Sequence, residues 1–206
     1  MTIAIPALPC GNFSSVVKMV EKAGGQAAIV HNPAELAQYQ KVIVAGVGAF
    51  DHGMSSIRDA GWEPELNRAA LERKMPILGI CLGMQLLCNA SEEGKLPGLR
   101  WIDAEVKRFQ FPADSTLKIP HMGWNTVKVA KPNPLISDAE GEQRFYFVHS
   151  FHAVCKRQED VLAVTTHGYD VAAAISRDNI FGVQFHPEKS HRFGLALMRK
   201  FVELPC

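Results

Sequence analysis

Pro76-Ile77-Leu78-Gly79-Ile80-Cys81-Leu82-Gly83-Met84-Gln85-Leu86-Leu87 joins an apolar run to a helical pattern through Gly-x-Cys-x-Gly. Pro76 to Ile80 is the kind of uninterrupted apolar segment expected of a strand buried on both faces, and Leu82 to Ala90 has the spacing of a helix. A chain that passes from strand to helix across a single residue needs glycines there, because the two elements pack closely and the backbone between them is strained. The strained residue is Cys81. At the start of a helix a thiol meets the positive end of the dipole and unsatisfied amides, which favours the thiolate. The arrangement is a nucleophile elbow with cysteine in place of serine.

The segments around the elbow fit the same architecture. Lys41 to Ala45 (KVIVA) reads as another doubly covered strand, and Thr2 to Ile5 and Ala27 to Val30 as two more. Ser14 to Ala23 is a helix expected to bury Val16, Val17 and Val20 and to close at Gly24-Gly25. Asn32-Pro33-Ala34-Glu35 is a helix start, with a capping side chain followed by Pro at the first helical position. Met54 to Arg73 is helical, interrupted at Gly61 and Pro64. From Gly94 to about Asp178 the texture changes to short β-type segments: Ala104 to Phe109, Asn125 to Val129, Arg144 to His149, Val161 to Thr166 and Val171 to Ile175. Phe181 to Phe185 is one more buried strand, and Ser190 to Glu203 a closing amphipathic helix. The pattern predicts an α/β fold: a mostly parallel central sheet flanked by helices, with an antiparallel β elaboration, in one domain over residues 1–206.

Composition narrows the function. Of 206 residues, 47% are apolar and 21% charged, and 22 Lys and Arg against 21 Asp and Glu leave a net charge of +1. Without concentrated positive charge, binding to nucleic acid or to a membrane surface is not expected. No signal segment and no membrane span are legible. Cys10, Cys81, Cys88, Cys155 and Cys206 are scattered, with no C-x-x-C pair, as in a reduced cytoplasmic protein. Cys81 excepted, they read as buried free thiols. No cofactor is expected, and no metal, since no zinc-type spacing occurs; His149 and His152 point to opposite sides if the segment is extended.

A thiol nucleophile needs a base, and the base an orienting group. Phe181-Gly182-Val183-Gln184-Phe185-His186-Pro187-Glu188 supplies both. Pro187 favours an extended His186, which places residues 186 and 188 on one side, so that Glu188 holds one imidazole nitrogen and the other faces Cys81. His31, His52, His167 and His191 read as structural. Donors for a developing oxyanion are available from the Leu82 amide and from the Gly46-Val47-Gly48 turn at the end of KVIVA, because adjacent parallel strands deliver their carboxyl ends to the same edge.

Gly79 to Leu87 together with Val183-Gln184-Phe185-His186-Pro187-Glu188-Lys189-Ser190 resembles the class I (triad) glutamine amidotransferases. Gly46-Val47-Gly48-Ala49-Phe50-Asp51, Pro120-His121-Met122-Gly123-Trp124-Asn125 and Tyr146-Phe147-Val148-His149-Ser150 resemble the branch of imidazole glycerol phosphate synthase glutaminases. The resemblance implies hydrolysis of L-glutamine through a thioester on Cys81, with His186 moving protons and Glu188 orienting it. It implies oxyanion amides from Leu82, Val47 and Gly48, and glutamine binding by Gly48, Gln85, His149, Ser150 and Phe151. It also implies a partner, the cyclase (synthase) subunit, which is a TIM-barrel chain in a heterodimer, reached through Asn12, Met122, Trp124 and Lys189 along the ammonia route. By composition alone Pro120 to Asn125 is a Pro/Gly turn with a buried Trp. Two departures stand out: Ala45 where the branch commonly has Pro, and Pro6 to Cys10 ahead of Gly11-Asn12. A length that holds a glutaminase leaves the ammonia-consuming step to a separate chain. The competing readings are a paralogous glutaminase feeding another amination, such as that of a surface-glycan sugar, a stand-alone cysteine γ-glutamyl hydrolase, and a non-enzymatic regulatory subunit that keeps the fold, against which the intact Cys81, His186 and Glu188 argue.

Overall fold

The computed structural model describes residues 2–9, 13–137 and 141–205. Strand and helix alternate through β1 (Thr2–Pro6), α1 (Phe13–Lys22), β2 (Gln26–Val30), β3 (Lys41–Gly46), α2 (Phe50–Asp59), α3 (Trp62–Asn67), β4 (Ile77–Cys81) and α4 (Leu82–Leu86). Strands then dominate: β5 (Ala90–Ser91), β6 (Ala104–Arg108), β7 (His121–Val129), β8 (Gln143–His149), β9 (Phe151–Cys155), β10 (Val161–His167), β11 (Tyr169–Arg177) and β12 (Ile180–Val183), before α5 (His191–Glu203). Among the described residues a nine-stranded sheet runs β2-β1-β3-β4-β12-β11-β10-β7-β8, and a second sheet of three runs β5-β6-β9. The pairs from β2 to β12 are parallel and those from β12 to β8 antiparallel. The expected parallel core with an antiparallel elaboration is thus a single continuous sheet plus a small separate one.

KVIVA shows why the middle strands are apolar throughout. Val42 and Val44 pack with Phe50, Ile57, Trp62 and Leu86 on one face, whereas Ile43 and Ala45 pack with Val16, Val20, Leu197 and Phe201 on the other. Period-2 alternation therefore divides the strand between two cores, one under α2 to α4 and one under α1 and α5. Lys41, buried at the strand's start, is the exception: its ammonium donates to the carbonyls of Phe201, Val202 and Leu204 and so ties the end of α5 to β3. A cation at a helix carboxyl end suits both the dipole and the unpaired carbonyls.

Several boundaries differ from expectation. The segment after Asn32 is a 3-10 helix, Pro33–Gln38, with Asn32 accepting from the Ala34 amide. Val17 is only half-buried. Gly61, at φ 71°, does interrupt the long helical region, but Pro64 lies inside α3. The helix after the elbow stops at Leu86 rather than Ala90 because the carbonyls of Leu86, Leu87 and Cys88 accept from Leu99, Trp101 and Arg100 instead of from further helical amides. Pro120 to Asn125 is not a turn with a buried Trp. His121–Asn125 is the first half of β7, paired from His121↔His149 onward, and Trp124 is 40% exposed, stacked on His191 with ring centroids 5.5 Å apart. Of the cysteines expected to be buried, Cys88 is buried and Cys155 half-buried; Cys10 and Cys206 lie outside the described residues.

Candidate active site

Register brings the elbow between its partners. Gly46 lies opposite Cys81 on one side of β4, and Val183 opposite Ile80 on the other. The carboxyl ends of β3, β4 and β12 therefore release Val47, Leu82 and, three residues after β12, His186 at one edge of the sheet. Cys81 has φ 54° and ψ −110°, a conformation that costs energy for a non-glycine residue and turns its side chain out of the strand. The flanking glycines permit it. A Cβ on Gly83 falls 1.8 Å from the Val44 carbonyl oxygen, and one on Gly79 falls 2.7 Å from that of Gly83.

His186 is backbone-tied to β8 through its amide to the Tyr146 carbonyl (2.9 Å), and the buried Ser190 hydroxyl donates to the His186 carbonyl (2.6 Å) while accepting from the Tyr146 amide. Its Nδ1 is 2.7 Å from Glu188 Oε1, both side chains being buried, and its Nε2 has no hydrogen-bond partner among the described residues. Burial works against charging the ring. Interactions with the Cys81 sulfur and the Glu188 carboxylate outweigh it, and the His186 pKa is pushed up to about 9. The imidazole is therefore protonated at neutral pH, with Nδ1–H given to Glu188 and Nε2–H available on the Cys81 side.

A cavity of about 500 Å³ opens over Cys81 and His186. Its wall contains Val47, Gly48, Leu82, Gln85, His149, Ser150, Phe151 and Lys189, the residues that the sequence singled out for oxyanion, substrate and partner roles, apart from three. Met122 (62% exposed) and Trp124 stand outside the cavity on β7, beyond Pro120 at its rim. Asn12 lies outside the described residues. Glu93 also lines the cavity, and its Oε2 accepts from the Phe50 amide at 2.8 Å. No sequence spacing marks Glu93, because it arrives on the segment after β5, which is held to α2 by Asp51 accepting from the Lys95 and Leu96 amides. Those amide bonds keep the Asp51 carboxyl below its ordinary range.

Behind the cavity lies a histidine relay that the sequence does not show. His149 Nδ1 is 2.8 Å from the Phe151 carbonyl, which only accepts, so that nitrogen carries hydrogen. His149 Nε2 then accepts from His121 Nδ1 (2.9 Å), and His121 Nε2 accepts from Asn125 Nδ2 (3.0 Å). Both rings are neutral: burial pushes the His149 pKa down to about 3 and that of His121 to about 4, with neighbouring histidines adding to the effect. His149 and His152, expected on opposite sides of an extended segment, both pack on the Phe109 ring, at 5.3 and 4.8 Å between centroids. The chain breaks at Ser150 between β8 and β9, so the alternation does not carry across. His31, His52 and His191 are exposed, whereas His167 stacks on His121. Among the described residues no three His, Cys, Asp or Glu are grouped to hold a metal ion.

The relay predicts acid lability. The unfolded chain binds protons on these histidines near pH 6.5, and the folded chain not until about pH 4 or 3. The stability they contribute is complete above pH 6.5 and lost as pH falls towards 4. The melting temperature is expected to drop by roughly 5–10 °C between pH 7 and pH 5. His186, with its raised pKa, adds a small further stability as pH falls from 7 past 6.5 and none below that, which offsets only part of the loss. A melting temperature that stays level from pH 7 to pH 5 would contradict the neutral relay.

A strained cysteine at the carboxyl edge of parallel strands, faced by a His–Glu pair beneath an open cavity, is the site of a triad hydrolase working through a thiol nucleophile. The chain belongs to the class I glutamine amidotransferase family, whose description as glutamine amidotransferase class-I matches residues 9–204. It is 44% identical over 201 residues to a Methanococcus maripaludis protein named imidazole glycerol phosphate synthase subunit HisH 2, covering 98% of each chain. It is also 44% identical over 194 residues to the Pseudomonas aeruginosa protein of the same name, covering 94% of this chain and 95% of that one. Among solved structures, a glutamine amidotransferase superposes with a TM-score of 0.72 at 20% identity, covering 98% of this chain and 97% of the other. PurLQS from Thermotoga maritima gives a TM-score of 0.70 at 18% identity, covering 97% of this chain and 95% of that one. No helix among the described residues is long and apolar enough to cross a membrane.

Proposed function

We propose that this chain, acting as one glutaminase domain in the cytoplasm, is the glutaminase subunit of an imidazole glycerol phosphate synthase. In this reading it hydrolyses L-glutamine and passes ammonia to a TIM-barrel cyclase in a heterodimer. The observation that carries it is the cavity over Cys81 and His186 in a chain 44% identical, over nearly its full length, to proteins bearing the synthase subunit's name. Glutamine enters with its carboxamide at Cys81. The sulfur attacks the amide carbon, and the oxyanion is met by the amides of Leu82, Val47 and Gly48. His186, already protonated, gives its Nε2 proton to the departing nitrogen, and ammonia leaves a γ-glutamyl thioester. Neutral His186 then takes a proton from water, which attacks the thioester and releases glutamate and the thiolate. Glu188 holds the ring in register through both steps.

Gly48, Gln85, His149, Ser150 and Phe151 hold the amino-acid end of glutamine. Glu93, the cavity's carboxylate, joins them and suits the substrate's ammonium group. Met122, Trp124, Lys189 and, by sequence, Asn12 face the cyclase. Exposed apolar side chains beside the cavity mouth fit such an interface, where aromatic and Met side chains are favoured.

The test is glutamine hydrolysis by the purified chain with and without a cyclase partner and its ligand, paired with growth of a histidine auxotroph lacking its own glutaminase subunit. A strong rise in turnover on adding cyclase, with restored growth, is expected. Cyclase-responsive hydrolysis without restored growth would indicate a paralogue serving another amination. Full turnover unaffected by cyclase would indicate a stand-alone hydrolase.

A further inference from the structure

We propose that Gln184 is a positioning residue for the nucleophile: its carboxamide donates to Cys81 Sγ, and Gln85 and the Phe151 carbonyl dictate which way that carboxamide faces. The proposal deepens the glutaminase reading of the site and rests on it for what the sulfur does. Gln184 is fully buried, one residue beyond β12, in an otherwise apolar run between Val183 and Phe185. A buried amide in a hydrophobic layer is costly unless each of its polar atoms has a partner. Its Nε2 lies 3.8 Å from Cys81 Sγ, within hydrogen-bond range for a sulfur acceptor, and its Oε1 lies 3.0 Å from Gln85 Nε2.

The orientation follows by elimination along the chain of contacts. The Phe151 carbonyl accepts only, so the Gln85 atom 3.1 Å from it is the amino group. That same amino group is the Gln85 atom facing Gln184, which must therefore present oxygen to it. The amino group of Gln184 is left facing Cys81. Reversing either amide would set oxygen against oxygen or nitrogen against nitrogen across the buried Gln85–Gln184 contact. The Phe151 carbonyl is itself held from its other side by His149. The donor on the sulfur is thus preset by the wall that lines the substrate cavity.

A neutral thiol gains little from such a donor. A thiolate gains a charge-assisted hydrogen bond, so the contact favours the nucleophilic form and aims it. The other polar groups around the sulfur are His186, backed by Glu188, and the cavity residues Glu93, His149 and Lys189. The Gln184 side chain bonds to Gln85 and Cys81 and to none of these.

The experiment measures the pH dependence of Cys81 alkylation by iodoacetamide, located by mass spectrometry, in the full-length protein and in Q184M and Q184E. Methionine keeps the volume without a donor; glutamate keeps the oxygen facing Gln85 and turns another oxygen on the sulfur. Q184M is expected to raise the alkylation midpoint by about one pH unit. Q184E is expected to raise it further. With the cyclase present, glutaminase kcat should fall by about tenfold in Q184M with KM within about twofold. If Q184M unfolds, Q184E gives the same reading, and cooperative thermal unfolding identifies which variant is folded. An unchanged midpoint in a folded variant would overturn the proposal. Failure of a glutamine-analogue diazoketone to label wild-type Cys81 would instead overturn the glutaminase reading, a result separable from the alkylation midpoint.

Discussion

Replacing Cys81 with alanine is expected to lower glutamine hydrolysis by about 10⁴-fold or more, because no other group in the cavity can form the thioester. Among the described residues that line the cavity, Cys81 alone carries a thiol. His186→Ala should fall within about tenfold of Cys81→Ala, and the double variant should be no worse than either, since nucleophile and base act as one unit. Glu188→Gln is expected to be about 10- to 100-fold milder, because the ring keeps its place in the chain and loses only charge support and a fixed tautomer. The carboxylate is also one of the groups holding the His186 pKa near 9, so in Glu188→Gln the basic limb of the pH–rate profile should move to lower pH. Steady-state rates of the four variants, measured with the cyclase present, check the ordering. Hydrolysis by Cys81→Ala at a wild-type rate would sink the mechanism, and an additive double variant would sink the claim that the pair acts together.

The parts of this site legible in the sequence are those set by short-range geometry. The elbow, KVIVA and the His186–Glu188 spacing each depend on a few consecutive residues: Cys81 falls at a strand–helix junction with Gly46 beside it in register, and Glu188 is bonded to His186, although it reaches the ring from a 3-10 turn, Pro187–Lys189, rather than from the extended segment expected. The misread parts depend on partners far along the chain. His121, itself bonded to Asn125, meets His149 across β7 and β8, 28 residues further along the chain, and Pro120 and Gly123 gave that strand the texture of a turn. Gly123 does have φ 119°, yet the ladder with β8 runs through it, since pairing to a long neighbour outweighs a local turn preference. Likewise, the end of α4 is set by amides of residues 99–101, and the place of Glu93 by its bond to Phe50. Gln184 left only a faint signal, a polar residue within an apolar strand-like run, whose meaning depends on what lies opposite.

Gly83→Ala is expected to be the most damaging single-methyl addition near the site. The new Cβ would sit 1.8 Å from the Val44 oxygen and 2.8 Å from its carbon, far inside contact distance. The obstacle is backbone of β3, which is paired on both sides, to β1 and to β4, and cannot yield by a rotamer change. Relief requires α4 to lift from the sheet, and α4 carries the Leu82 amide and Gln85 while its first residue follows the strained Cys81. The expected cost exceeds about 4 kcal/mol, enough to leave little folded protein at 37 °C. Gly53→Ala provides the contrast. In α2 its Cβ would meet Leu82 and Leu86 side-chain ends at 3.1 Å, groups that can shift by a few tenths of an ångström, and alanine favours a helix over glycine. That variant should stay within about 1 kcal/mol of wild type. Thermal unfolding of both variants decides the matter: if Gly83→Ala melts with the wild type, the close approach of α4 to β3 is not what fixes the elbow. If it folds with a lowered melting temperature, the same contact predicts a glutaminase deficit larger than the stability loss explains, because any lift of α4 also moves the Leu82 amide away from the oxyanion.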